Sequence, residues 1–142
     1  MSRPRVRWLP LLTLLAGAVP LTWLVAIADG WTVNRLVVWI WTQFRRLGFP
    51  ITPDDMDVAL NTAMLLPFAL LAGLAFPRLP WWLWAVAGFA LSASVEAIQF
   101  NLLRDASLAD LITNTAGAFL GAWLSHAVNE RLALRAERRE VA

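Results

Sequence analysis

Cysteine is missing from all 142 residues, so the chain has no disulfide, no thiolate metal site and no cysteine nucleophile. Lysine is missing too: the twelve basic residues are all arginine. The pI of about 11.0 reflects that choice and not a basic excess, because ten acidic residues leave a net charge of only +2. Nucleic acid is therefore not an expected partner. Charge of either sign is scarce at 15% of residues, where a soluble domain carries about 25%. There is no Gly-rich phosphate loop and no serine elbow; two carboxylates with three amides are only a weak signal for a hard cation, so neither a metal nor another cofactor is expected.

What the chain has in excess is apolar length. Hydrophobic residues make up 59%, with a mean hydropathy of +0.59. Four stretches hold almost no charge: Trp8–Ala28, Val58–Pro77, Leu79–Val95 and Leu111–Asn129, of 21, 20, 17 and 19 residues. About 20 apolar residues cross a hydrocarbon core of roughly 30 Å. The pattern predicts an all-α, polytopic membrane protein: one domain over residues 1–142, a four-transmembrane-helix bundle with spans near 8–28, 58–77, 79–100 and 108–129. A soluble globular domain is excluded.

Arg3, Arg5 and Arg7 ahead of the first stretch resemble a signal-peptide n-region, and Ala26-Ile27-Ala28 resembles a cleavage site. The stretch exceeds the usual 7–15 residue apolar region, which favours a retained helix. Between the first two spans, Val33, Leu36, Val37, Ile40, Phe44 and Leu47 recur at spacings of three and four. Arg35, Arg45 and Arg46 interrupt that segment, so residues 31–47 read as an amphipathic helix lying at the interface or against the bundle mouth. Gly48, Pro50 and Pro53 end it. Trp81, Trp82 and Trp84 read as interfacial anchors of the third span. Asp54 and Asp55 read as solvated loop charges, and residues 130–142 as a cytoplasmic tail, a frayed helical extension of the last span. Eight arginines fall on the side of the two termini and four on the other, so both termini are assigned to the cytoplasm.

Polar residues within or beside spans are costly and therefore informative. Glu96 and Gln99 share one face near the end of the third span, and Asp110 and Asn114 share one near the start of the fourth. Asp57 and Asn61 open the second span, and Arg104 lies in the loop between the third and fourth. Four consecutive crossings bring all seven to the extracytoplasmic face, which points to one polar ligand pocket there. A plainer reading has Glu96 and Asp110 flanking Arg104 in a structural salt bridge, with Asn61, Gln99 and Asn114 as interhelical hydrogen-bond glue. Gly117 and Gly121 form a G-x-x-x-G helix-packing face. The lone His126, near the cytoplasmic end of the fourth span, reads as interfacial.

The run Glu96-Ala-Ile-Gln99, then Arg104, Asp110-x-x-x-Asn114, Gly117 and Gly121, resembles the signature of the VanZ-like family. Asp57, Asn61 and Pro67 match an upstream D-x-x-x-N motif leading to a proline, although Leu65, Leu66 and Ala69 stand where that family often has phenylalanine and glycine. The resemblance spans about residues 55–125 and ten positions in order. It implies a small multi-span protein of the cell envelope. The family's namesake is associated with low-level resistance to teicoplanin, a glycopeptide acting on peptidoglycan precursors. The implied partners are membrane lipids and a lipid-linked cell-wall precursor or lipoglycopeptide. In a binding protein, Arg104 would meet an anionic headgroup while Glu96 and Asp110 orient it. In an enzyme acting on an outer-leaflet glycolipid or phospholipid headgroup, Glu96 would be the general acid or base, with Asp110 as its ionised companion.

Overall fold

The computed structural model describes residues 6–23, 30–101 and 107–141, with side chains outside the description at 98–101, 140 and 141. It contains five helices and, among the described residues, no strand: α1 (Trp8–Thr22), α2 (Gly30–Arg46), α3 (Pro53–Ala75), α4 (Trp81–Asn101) and α5 (Leu108–Val141). Local chemistry sets their ends. α2 stops where Gly48 takes φ +88°, the Gly48 N–H donates to Arg45 and the Phe49 N–H to Phe44. The Phe44 and Phe49 rings close that Schellman cap, 5.7 Å between centroids. α3 starts with Pro53 behind the N-cap Thr52, whose hydroxyl accepts the Asp55 N–H at 3.1 Å. The Asp55 carboxylate accepts the Thr52 N–H at 2.9 Å, completing a capping box. Asp54 and Asp55 are thus first-turn helix residues and not loop charges.

Three contacts fix the relative directions. The Arg7 N–H donates to the Ala75 carbonyl at 2.8 Å, so α1 starts where α3 ends and the two run antiparallel. A Cβ added to Gly117 would run into the carbonyl oxygen of Thr62, and one on Gly121 into that of Leu66. α5 therefore lies parallel to α3 at backbone contact. Gly88 meets Ala118, while Trp81 meets Phe119 edge-on at 5.5 Å, so α4 runs antiparallel to α5. α1, α3, α4 and α5 alternate in direction.

The centre of the bundle is built of small residues. Ala69, Ala118 and Ala122 surround Leu65, with Leu21, Trp81, Trp84 and Ala85 packed against them. Large apolar side chains face outward instead: Leu9 is 78% exposed, Val19 71% and Ile112 59%. A water-soluble domain has the opposite arrangement, whereas close backbone approach through Gly and Ala is how helices pack in lipid. Among the described residues one helix, Pro53–Ala75, is long and apolar enough to cross a membrane; Trp8–Thr22 is apolar but shorter.

The helical extension expected after Asn129 is the continuation of α5, a single helix of 34 residues. Of the three tryptophans, only Trp82 stands out as an anchor would, at 54% exposure. Trp81 packs on Phe119 and His126, and Trp84 stacks on Phe76 at 5.6 Å, so both also serve helix packing.

Candidate functional site

At the start of α3 and α5 a cleft of about 460 Å³ opens between four helices. Asp57 and Asn61 come from α3, Glu96 from α4, and Asp110 and Asn114 from α5. The apolar face of α2, with Val33, Leu36, Val37 and Ile40, forms the opposite wall. The amphipathic helix thus turns its hydrophobic stripe onto a polar floor, which makes the cleft itself amphipathic. Five of the seven residues singled out from the sequence line this one space. Arg104 and the side chain of Gln99 lie outside the described residues. Among the described residues no group of three His, Asp or Glu side chains is arranged to hold a metal ion.

The carboxylates on the floor are divided between two jobs. Ser107 precedes α5, and its hydroxyl accepts the Asp110 N–H at 3.3 Å, as an N-cap does. In the Thr52 box the third-position carboxylate returns the bond to the cap's own N–H. At α5 that return comes from a different helix: Glu96 of α4 accepts the Ser107 N–H at 2.8 Å. Glu96 therefore ties α4 to the start of α5, and Asp110 need not return the bond to the Ser107 N–H. Its carboxylate instead accepts a hydrogen bond from the Asn61 Nδ2 at 2.8 Å. Asp57, one turn before Asn61, is exposed on the rim.

Deeper in, Asn114 is 4% exposed and its Oδ1 has no hydrogen-bond partner. Ser92 is 2% exposed and its Oγ is also without one. Both line a second, smaller space of about 180 Å³, walled by Leu21, Met64, Leu65, Leu91 and Val95. Met64, Val95 and Asn114 belong to both linings, so the slot adjoins the cleft at Asn114. Sequence reasoning missed Ser92, although it lies four residues before Glu96 and so on the same face of α4. Of the two positions expected for α2, at the interface or against the bundle mouth, its place in the cleft wall agrees with the second.

The other end of the bundle carries a polar cluster that sequence reasoning also missed. Asn129 accepts from Arg7 Nη1 at 2.7 Å and donates from Nδ2 to the Gly73 carbonyl at 3.0 Å. His126 stacks on Trp81 at 6.2 Å and pairs with Glu130 at 3.3 Å.

A family model described as VanZ/LLP1 matches residues 7–129, from the arginine that pins α1 to the asparagine it pins. The chain belongs to the VanZ/LLP1 family. The matched region contains α1 to α4 and α5 as far as Asn129, and so includes the cleft, the slot and the Arg7–Asn129 clasp. No curated protein and no solved structure matches the chain. The expected VanZ-like residues divide within this frame: Asp57, Asn61, Glu96, Asp110 and Asn114 line the cleft, whereas Gly117 and Gly121 hold α5 against α3.

Proposed function

We propose that this VanZ/LLP1 protein is a four-span membrane protein of the cell envelope whose cleft faces outward and binds a lipid-linked or otherwise amphipathic envelope molecule. The observation that carries the reading is the composition of the cleft, a floor of Asp57, Asn61, Glu96, Asp110 and Asn114 beneath an apolar wall from α2. A headgroup has polar partners there and a hydrocarbon chain has apolar ones, in one space. The alternating directions of α1, α3, α4 and α5 and their outward-facing large apolar side chains support four crossings. The arginine asymmetry, eight against four, supports cytoplasmic termini and an outward cleft. In this reading the protein lowers susceptibility to teicoplanin-type glycopeptides, where it does so, by engaging an amphipathic envelope molecule. The enzyme alternative is the weaker one, because one oxygen of Glu96 is already committed to the Ser107 N–H.

The absence of cysteine makes the orientation directly testable. Asp54→Cys and Arg135→Cys, introduced singly, should differ in intact cells: a membrane-impermeant maleimide labels the first and spares the second until the cells are lysed. Reversed labelling would refute the outward cleft. A deletion strain should then show an altered profile of lipid-linked wall precursors and an altered teicoplanin susceptibility, restored by the wild-type gene and not by Asn61→Leu. Full rescue by Asn61→Leu would refute the cleft as the working site.

A further inference from the structure

The unpartnered atoms at the junction of cleft and slot define the chemistry of what binds there. Buried polar atoms in folded proteins are nearly always hydrogen-bonded. Here two are not, Asn114 Oδ1 and Ser92 Oγ, although each residue is more than nine-tenths buried. They lie on facing helices, α5 and α4, and line the same 180 Å³ slot. One of them, the amide oxygen of Asn114, can only accept. The described ionisable groups of the adjoining cleft are Asp57, Glu96 and Asp110, all acidic, and no described lining residue is basic. Unused acceptor capacity and negative charge therefore favour a donor-bearing, positively charged head, and a phosphate placed among the three carboxylates would be repelled by each of them.

The slot adds the second half of the specification. Apart from Asn114, Ser92 and Thr22 it is walled by the apolar side chains of Leu21, Met64, Leu65, Leu91 and Val95. An apolar cavity of roughly 150 Å³ stays dry and accepts a benzene-sized guest. At 180 Å³ this slot has room for the first carbons of a hydrocarbon chain, entering beside Asn114.

We propose that the ligand is an amphiphile whose head bears an amine beside hydroxyl groups, as in an amino sugar or amino alcohol, with the head on Asn114 and Asp110 and the start of its chain in the slot. This rests on the reading of the cleft as a binding site for an envelope amphiphile and narrows it to one class of headgroup. The amine supplies the donors that Asn114 Oδ1 lacks and the charge that the three carboxylates favour. Ser92 Oγ meets the head or the first polar atom of the chain.

The test compares three twelve-carbon probes on the full chain in phosphatidylcholine nanodiscs, with native mass spectrometry counting bound molecules. The probes are N-dodecylglucamine, dodecyl glucoside and dodecyl phosphate. The expected result is one bound glucamine, held about tenfold more tightly than the glucoside, the size of one added hydrogen bond to a charged group. Dodecyl phosphate should bind weakest. Ala63→Trp, which fills the cleft from its rim, should abolish the bound molecule. If dodecyl phosphate binds as well as the glucamine and Ala63→Trp removes both, the headgroup assignment is overturned while the cleft keeps its binding role. If no probe binds, or all bind equally and Ala63→Trp changes nothing, the assignment and the underlying reading fail together. The ranking on the wild-type chain decides the question even if the variant does not fold.

Discussion

Asn114 and Asn129 lie on the same helix, fifteen residues and so about four turns apart, and both are buried. Asn129 is spent on structure: Arg7 donates to its oxygen and its amide donates to the Gly73 carbonyl, joining α1, α3 and α5. Ser125 nearby is likewise satisfied, donating to Ala122 O at 2.6 Å. Among the described residues, the Trp84 indole N–H is the one buried side-chain donor without an acceptor toward that end. At the other end Asn114 and Ser92 keep unpartnered oxygens next to open space. One asparagine therefore closes the bundle and the other is left for something outside the chain. Burial alone does not distinguish a structural polar residue from a functional one; the hydrogen-bond account does.

The largest effect should come from separating the helices that carry both ends. Gly117→Val puts a branched side chain against the Thr62 carbonyl, a backbone atom that cannot swing away. Overpacking of this kind costs about 3 kcal/mol or more. Thermal unfolding in detergent should show a collapse of the folded fraction, with probe binding lost in parallel; a native-like melting curve would break the parallel packing of α3 and α5. Asn129→Leu should cost about 1–3 kcal/mol, because Arg7 and the Gly73 carbonyl lose their shared partner. Binding of N-dodecylglucamine should survive it, and a matching loss of binding would erase the distinction between the two ends.

Glu96→Gln sharpens the division of labour on the cleft floor. It replaces a charge-assisted bond to the Ser107 N–H with a neutral one, at about 1 kcal/mol. A chemical-denaturation series should register that loss together with a modest fall in binding. An abolished cellular function at full stability would instead revive proton transfer by Glu96. Thr52→Ala should have the smallest effect, about 0.5–1 kcal/mol, from an exposed cap remote from both asparagines.

Much of the arrangement was legible in the residue pattern. The period of Val33, Leu36, Val37 and Ile40 announces α2, and the spacing of Gly117 and Gly121 announces a close helix contact, because both depend on neighbours along one helix. The convergence of Asp57, Asn61, Glu96, Asp110 and Asn114 followed from alternating helix directions alone. What escaped depends on pairings across helices. Thr52 and Ser107 look alike as caps, and only the position of α4 makes Glu96 the return partner in the second. Trp81 and Trp84 carry the composition of interfacial anchors, yet neighbouring rings claim them. The continuation of α5 past Asn129 was legible as a helical extension, because the charges there mark the end of an apolar stretch and not the end of a helix.

The most direct measurement is binding and stability of Asn114→Leu, read side by side with Asn129→Leu. Replacing an unpartnered buried oxygen with a similar-sized apolar side chain should leave the melting temperature unchanged or raised. The account predicts that Asn114→Leu keeps its stability and loses about tenfold in affinity for N-dodecylglucamine, while Asn129→Leu does the reverse. Equal affinity in Asn114→Leu and the wild type, at unchanged stability, would contradict it.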